Sequence, residues 1–173
     1  MEQPITSTSS KGLTIAMILI VLSLVTYFTG MAGNSALGWL GYAIFVIGII
    51  VSVSIYGKQI NYNSSFGNYF THGFKVSALV TAIMVIFVVV FIFTFPEVKE
   101  SALDAAAAEM DKQDTMSDEQ KEQAINLTRK FFMVFTIGGT LLGYMFFGTL
   151  AALVGAAITK KQPVPLSDVN TIS

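Results

Sequence analysis

The side chains that could do chemistry in this sequence are few and far apart. His72 is the only histidine in 173 residues, and cysteine is absent. These two facts exclude a zinc site built from several histidines, a disulfide and a cysteine nucleophile within one chain. A Ser-His-Asp triad would have to join His72 to an acid on a distant segment, such as Asp168. We therefore expect His72 to be an interfacial or surface residue, and we assign no catalytic residue and no cofactor.

Acidic residues are concentrated in one segment, but their spacing does not indicate a metal site. Asp111, Asp114, Asp118 and Glu119 lie close together in the sequence. They do not fit the calcium-loop pattern D-x-[DN]-x-[DN]-G-x5-E and they lack its glycine. A solvated acidic turn explains them better, so we assign no metal ligand. The formal net charge of −1 gives no reason to expect nucleic acid as a partner.

Four apolar stretches dominate the sequence and indicate its class. Hydrophobic residues make up 53% of the chain and charged residues 12%, against roughly 45–50% and about 25% in soluble domains. A bilayer core needs roughly 20 apolar residues per helix, and backbone amides must pair internally there, which favours helices. The stretches without an ionisable acid or base are 13–32, 36–56, 76–95 and 131–158. They predict an all-α protein, a four-helix transmembrane bundle in a lipid bilayer.

We expect this bundle to be a single membrane domain at 13–161, between flexible tails at 1–12 and 162–173. The alternative for the first stretch is a cleaved signal peptide. Its apolar part of about 20 residues exceeds the usual 7–15 of such peptides, so we interpret it as a retained helix. The short polar segment 33–35 predicts a tight antiparallel connection to the second helix.

Residues 96–130 differ in composition from the stretches on either side, with nine acidic and five basic residues. Pro96 predicts a break after the third stretch, and the strong helix formers at 97–110 predict a helix. Ser117 and Gln120 have the spacing of a capping box. A second helix is therefore predicted from near residue 118, and it could run unbroken into the fourth stretch. The segment is predicted to be an extramembrane helical hairpin with its turn at 111–116.

Small residues recur along the fourth stretch at spacings that let two helices approach closely. Two interpretations remain open. The residues pack inside the same bundle, or they join the chain to a second copy or to another membrane protein. We call these residues the small-residue stripe: Gly139, Gly143, Gly148, Ala151, Ala152 and Gly155.

Aromatic residues at helical spacing precede the third stretch, bracketed by Lys58 and Lys75. This pattern is typical of a helix that lies in the plane of the membrane interface. An ordinary belt of aromatic residues at the headgroups is an equal alternative. We call these residues the aromatic face: Phe66, Tyr69, Phe70 and Phe74.

The distribution of charge predicts an orientation. The 96–130 segment has a net charge of −4, whereas the other charged residues sum to +3. Lys11 and Lys58 flank the first two stretches, whose connection carries no charge, and early helices commonly set the orientation. A negative-inside potential also favours the acidic segment outside. We expect both termini in the cytoplasm and the hairpin on the opposite side.

Several short motifs resemble a known family when they are taken in order. The run INYNSSFGNYFTHGFKV at 60–76 resembles the pattern S-F-G-x-x-F-x-x-G-F-K-V at the entrance to the third helix of a bacterial membrane family called domain of unknown function 4199. The Phe95-Pro96 pair, the MSDEQ run at 116–120 and the GAAITKK run at 155–161 are also similar to that family. The likeness covers most of 11–161 and implies four helices with an acidic helical loop, in a bacterial inner membrane. It supplies no activity, cofactor or catalytic residue.

The expected function follows from what these patterns contain and what they lack. Packing glycines are present, whereas catalytic clusters and charges within the apolar stretches are absent. We expect a structural or accessory membrane protein that acts by protein–protein interaction, and not an enzyme. The alternative is a subunit of an oligomeric transporter or channel, because four helices are few for a transporter.

Overall fold

The computed structural model describes residues 7–112 and 117–160. Within these ranges the protein forms six helices and no strand, which confirms the predicted all-α class. The predicted tail at 162–173 and most of the predicted turn at 111–116 lie outside the described residues. The helices are α1 (Thr8–Phe28), α2 (Ser35–Gln59), α3 (Phe66–Thr94), α4 (Glu97–Asp111), α5 (Asp118–Lys130) and α6 (Phe132–Ile158).

Helices α1, α2, α3 and α6 are long and apolar enough to cross a membrane, as predicted. Many of their large apolar side chains are not covered by the protein itself: Phe93 is 75% exposed and Leu142 is 70% exposed. Apolar surface of this extent is compatible with lipid tails and incompatible with water. The chain is therefore a multi-pass membrane protein whose apolar helices face a lipid bilayer.

Helix α1 begins before the first apolar stretch because a serine caps it. Ser7 Oγ accepts a hydrogen bond from the backbone N–H of Ser10 at 3.1 Å, which satisfies one of the donors left open at a helix start. Residues 8–12, predicted to belong to a flexible tail, are therefore helical. Residues 1–6 of that tail lie outside the described part of the chain.

The connection between α1 and α2 is longer than the predicted 33–35 turn and spans residues 29–34. Gly30 has a φ of +72°, where glycine is favoured. The N–H of Gly30 donates to Tyr27 O at 3.0 Å, and the N–H of Met31 donates to Thr26 O at 2.8 Å, which is the Schellman pattern. Asn34 then caps α2 by accepting from the N–H of Ala36 at 2.9 Å. Two local motifs thus close the hairpin.

The connection between α2 and α3 contains two successive residues with positive φ, Asn61 at +52° and Tyr62 at +58°. Such a backbone costs a non-glycine residue about 1–2 kcal/mol. Their N–H groups donate to the last carbonyls of α2, from Tyr62 to Gly57 O at 2.8 Å and from Asn61 to Lys58 O at 3.1 Å. The strained turn therefore completes the end of α2 and reverses the chain into α3.

The chain divides into two compact units. The first unit contains residues up to Val80 and from Met145 onward, and the second contains Thr81–Tyr144. In the first unit, helices approach so closely that a Cβ added at Gly73 would lie 2.7 Å from Val53 Cγ2 and 2.9 Å from Ala152 Cβ. Small residues thus allow tight helix contact in this unit, where lipid gives no hydrophobic driving force between helices.

The second unit contains the predicted helical hairpin, which is confirmed. Pro96 precedes α4, and α4 and α5 contact each other. Leu103 on α4 is only 2% exposed and packs with Ile92 and Phe132. The predicted capping box at Ser117 is present in both of its hydrogen bonds.

The second helix of this hairpin does not run unbroken into the fourth apolar stretch. Phe131, with φ −105° and ψ 17°, interrupts the helical path between α5 and α6. The N–H of Phe131 still donates to Leu127 O at 3.0 Å, and its carbonyl accepts from Phe135 at 3.0 Å. The interruption is therefore confined to the backbone of one residue and keeps these two hydrogen bonds.

Candidate functional site

Polar side chains from three helices meet at one end of the first unit. The start of α1, the end of α2 and the start of α3 come together there, and Thr159 just after α6 lies near the same end, 2.6 Å from a Cβ added at Gly57. We call the polar group the His72 cluster. Its members are Thr8, Lys11, Ser52, Tyr56, Gln59 and His72.

His72 is at the centre of this cluster and is only 7% exposed. Its ring stacks on that of Tyr56, with 4.2 Å between centroids and 5° between planes. Its Nδ1 lies 3.4 Å from Thr8 Oγ1 and its Nε2 lies 3.4 Å from Ser52 Oγ. Both ring nitrogens therefore face hydroxyl groups of other helices, which hold the orientation of the ring.

His72 was expected to be an interfacial or surface residue, and the surface alternative is wrong because the side chain is buried in α3, which begins at Phe66, before the third apolar stretch. One face of the early part of α3 is buried, and its members follow the i, i+3, i+4, i+7 spacing of a core-facing helix. This pattern was available in the sequence as the signal for a buried histidine. The residues are Tyr69, His72, Gly73 and Val76.

Lys11 is the charged member of the cluster and is 8% exposed. Its Nζ donates to Gln59 Oε1 at 3.1 Å and lies 5.6 Å from the centroid of the Tyr56 ring. Both partners are neutral. The described residues of the first unit, 7–80 and 145–160, include no aspartate or glutamate at all. A buried ammonium group is normally paired with an anion. Lys11 is unusual because the described residues of its unit offer no anionic side chain.

Tyr69 extends the cluster into the apolar core. It is fully buried with Val53 and Ala156, and its ring meets that of Tyr56 edge to face at 6.1 Å. Its hydroxyl has no hydrogen-bond partner among the described residues. A buried hydroxyl without a partner is uncommon, and this one belongs to a ring that contacts Tyr56 of the cluster.

The predicted aromatic face does not share one environment. Tyr69 is buried, Phe66 is 41% exposed, and Phe70 and Phe74 are half-buried. The segment that carries them is not a separate helix, because α3 is continuous from Phe66 to Thr94.

The residues of the small-residue stripe belong to two different units and have different surroundings. In the first unit, a Cβ added at Gly148 would clash with Ser77 Oγ, and one added at Gly155 would lie 3.2 Å from Val53 Cβ. Ala151 and Ala152 are buried there as well. In the second unit, Gly143 is half-buried. Gly139 is exposed there, and a Cβ added to it meets nothing within 4 Å.

The His72 cluster can bind a ligand through the positive charge of Lys11 and through hydrogen bonds from its hydroxyl groups and its imidazole ring. His72 and Ser52 resemble two members of a triad, but the described residues of this unit offer no carboxylate to complete it. In the described part of the chain, no three histidine, cysteine or acidic side chains are grouped to hold a metal ion.

Comparison with known proteins extends the likeness found in the sequence. The model of the family "Protein of unknown function (DUF4199)" matches residues 11–161. Neither a curated protein nor a solved structure matches the chain. The matched range contains the hairpin and all four membrane helices, except for the first three residues of α1. It also contains every member of the His72 cluster except Thr8. The chain therefore belongs to the DUF4199 family, whose members are proteins of unknown function.

Proposed function

We propose that the protein is a structural or accessory protein that binds a transmembrane helix of another protein through α6. The observation that carries this proposal is the open space around Gly139, where an added Cβ has no neighbour within 4 Å among residues 7–112 and 117–160. The exposed side chains of Phe135 and Leu142 lie four residues before and three residues after it, on the same face of α6.

Each glycine in α6 lowers the stability of the helix. Glycine is less favourable than alanine in a helix interior by about 1 kcal/mol. At Gly148 that cost is offset by close packing with Ser77 and Phe45 inside the chain. At Gly139 no packing among the described residues offsets it. A helix of a partner, approaching closely at Gly139, would supply the missing contact.

We place the protein in the inner membrane of a bacterium, with both termini in the cytoplasm and the hairpin outside. The bacterial part rests on the family resemblance of the motifs. Basic residues do not decide the orientation by number, because five lie in 96–130 and five lie outside it. The orientation rests on Lys11 and Lys58, which flank the first two membrane helices, and on the net negative charge of 96–130, which a negative-inside potential favours outside.

Affinity capture tests the proposal. Tagged wild-type protein, Gly139→Leu and the control Ala43→Leu, which adds bulk at an exposed position of α2, are purified in mild detergent and their partners are quantified. We expect Gly139→Leu to retain about tenfold less of a specific membrane protein, because leucine prevents close backbone approach. Ala43→Leu should retain it. If every variant is recovered alone, and deletion of 97–129 changes no phenotype, the proposal fails.

A cross-linking experiment distinguishes the accessory role from the alternative, a subunit of an oligomeric transporter or channel. Because the chain has no cysteine, Gly139→Cys reports contact between two copies by forming a disulfide. A dimer formed in native membranes, together with solute uptake by the protein in liposomes, would favour the alternative and contradict the accessory role.

A further inference from the structure

We propose that the His72 cluster binds an anionic phosphate group through Lys11. This site is independent of the partner-binding face of α6 and would remain if that proposal failed. It combines a buried cation with hydroxyl and imidazole groups contributed by three helices.

The positive charge of Lys11 is not balanced by the described groups that contact it. Lys11 is 8% exposed and its contacts are to the amide of Gln59 and the ring of Tyr56. Neither contact neutralises an ammonium ion. Lys75 lies close enough to act electrostatically on His72 together with Lys11. The two acidic residues in this unit's sequence, Glu2 and Asp168, lie outside the described residues. The described surroundings of Lys11 therefore favour an anion from outside the chain.

The hydrogen-bond donors of the cluster also suit an anion. An ammonium group has three N–H donors, and the bond to Gln59 uses one of them. Thr8 Oγ1 and His72 Nδ1 face each other at 3.4 Å, so when the ring donates to Thr8 the hydroxyl proton of Thr8 is left as a further donor beside Lys11. The first turn of α1 has no acidic side chain, so the positive end of its dipole also favours an anion. A phosphate group, with several acceptor oxygens, can accept from the ammonium group and from this hydroxyl together.

The cluster is also accessible to a ligand. Thr8, Tyr56 and Gln59 are half-buried, so the cluster reaches the surface of the unit. It lies at the terminal turns of membrane-spanning helices, the level at which headgroup phosphates occur. Basic pockets between membrane helices are known to hold anionic headgroups. The phosphate group comes either from such a lipid or from free phosphate, and the experiment distinguishes these sources.

The test uses full-length protein in a non-ionic detergent with excess phosphatidylcholine, whose headgroup phosphate is neutralised by its own choline cation. Phosphatidylglycerol is titrated in one arm and sodium phosphate, at constant ionic strength, in the other. Retained lipids are counted by native mass spectrometry, and the melting temperature is followed in both arms. We expect one phosphatidylglycerol retained per chain. A melting temperature raised by sodium phosphate as well would identify free phosphate as a ligand.

Two lysine variants decide whether binding is specific. Lys11→Gln should weaken binding of the phosphate-bearing ligand about tenfold or more, the effect of losing a charged hydrogen bond. The control Lys58→Gln removes the same charge from an exposed position and should change affinity by less than about threefold. Equal losses in both variants would mean diffuse attraction and would overturn the proposal. So would a wild-type protein that prefers neither phosphatidylglycerol to phosphatidylcholine nor phosphate to chloride.

A second pair of variants covers the case in which Lys11→Gln does not fold. Thr8→Val keeps the size of the side chain and removes its hydroxyl, so affinity should fall by about 3- to 10-fold. Lys11→Arg keeps the positive charge and should retain binding, because a guanidinium group also binds phosphate. Unchanged affinity in Thr8→Val, or loss of binding in a folded Lys11→Arg variant, would overturn the proposal.

Discussion

Replacing Gly148 by alanine should destabilise the protein, whereas the same replacement at Gly139 should not. Both glycines lie on α6, so the two variants differ only in what surrounds the added methyl group. At Gly148 the new Cβ would clash with Ser77 Oγ and lie 2.8 Å from Ser77 Cβ and 3.0 Å from Phe45 Cζ. Ser77 and Phe45 are both fully buried, so neither can move aside into solvent or lipid.

The magnitude follows from two opposing terms. Alanine gains up to about 1 kcal/mol over glycine in a helix, and overpacking a tight contact costs about 1–3 kcal/mol. Because two buried side chains obstruct the methyl group at Gly148, we use the upper end of that cost and expect a net loss of about 2 kcal/mol. At Gly139 no atom obstructs the methyl group, so only the gain remains.

The assay is reversible unfolding of purified protein in mixed micelles with a rising fraction of dodecyl sulfate. A rescue variant sharpens the test, because Ser77→Gly removes both atoms of Ser77 that obstruct the new methyl group. The double variant Gly148→Ala with Ser77→Gly should therefore recover at least about 1 kcal/mol relative to the sum of the single changes. Equal stability of Gly148→Ala and wild type, or equal losses at Gly139 and Gly148, would refute the packing described for α6.

Two other predictions concern the hairpin and the orientation. Leu103→Ala removes the most buried side chain of α4. It should lower the free energy of opening, measured by hydrogen exchange in α4 and α5, by about 2–4 kcal/mol. Unchanged protection would show that Leu103 does not hold the hairpin together. For orientation, Ser9→Cys, Ser64→Cys and Gln123→Cys lie at described positions of a cysteine-free chain. A membrane-impermeant maleimide should label only Gln123→Cys in cells with a permeabilised outer membrane, and labelling of the other two alone would reverse the assignment.

The helices, and the ends that carry a local signal, were predictable because local chemistry determines them. Pro96 stops one helix, Ser117 and Gln120 begin another, and the four apolar stretches are each long enough to span a bilayer. These features require no knowledge of which helices are neighbours. The bounds shifted by several residues at Thr8 and Phe66, where the polar turns before the apolar stretches are also helical.

The His72 cluster was not predictable in the same way, because it depends on contacts between distant segments. Lys11 and Gln59 are separated by 48 residues, and Thr8 and His72 by 64. Periodicity identifies the buried face of α3, but it does not reveal that this face meets polar residues of α1 and α2. The small-residue stripe has the same limit, since identical glycines at 139 and 148 have different surroundings.

The close contact at Gly57 links the end of α2 to Tyr62 in the following turn and to Thr159, about a hundred residues later in the sequence. A Cβ at this position would lie 2.6 Å from Thr159 Cγ2 and 3.3 Å from Tyr62 Cδ1. The strained backbone of Tyr62 would be relieved by glycine, but glycine would remove the ring that covers Gly57. A larger residue at 57 therefore requires a smaller residue or a shift at 159, and a small displacement of the Tyr62 ring. Among relatives of this chain, the residues at these three positions should therefore covary.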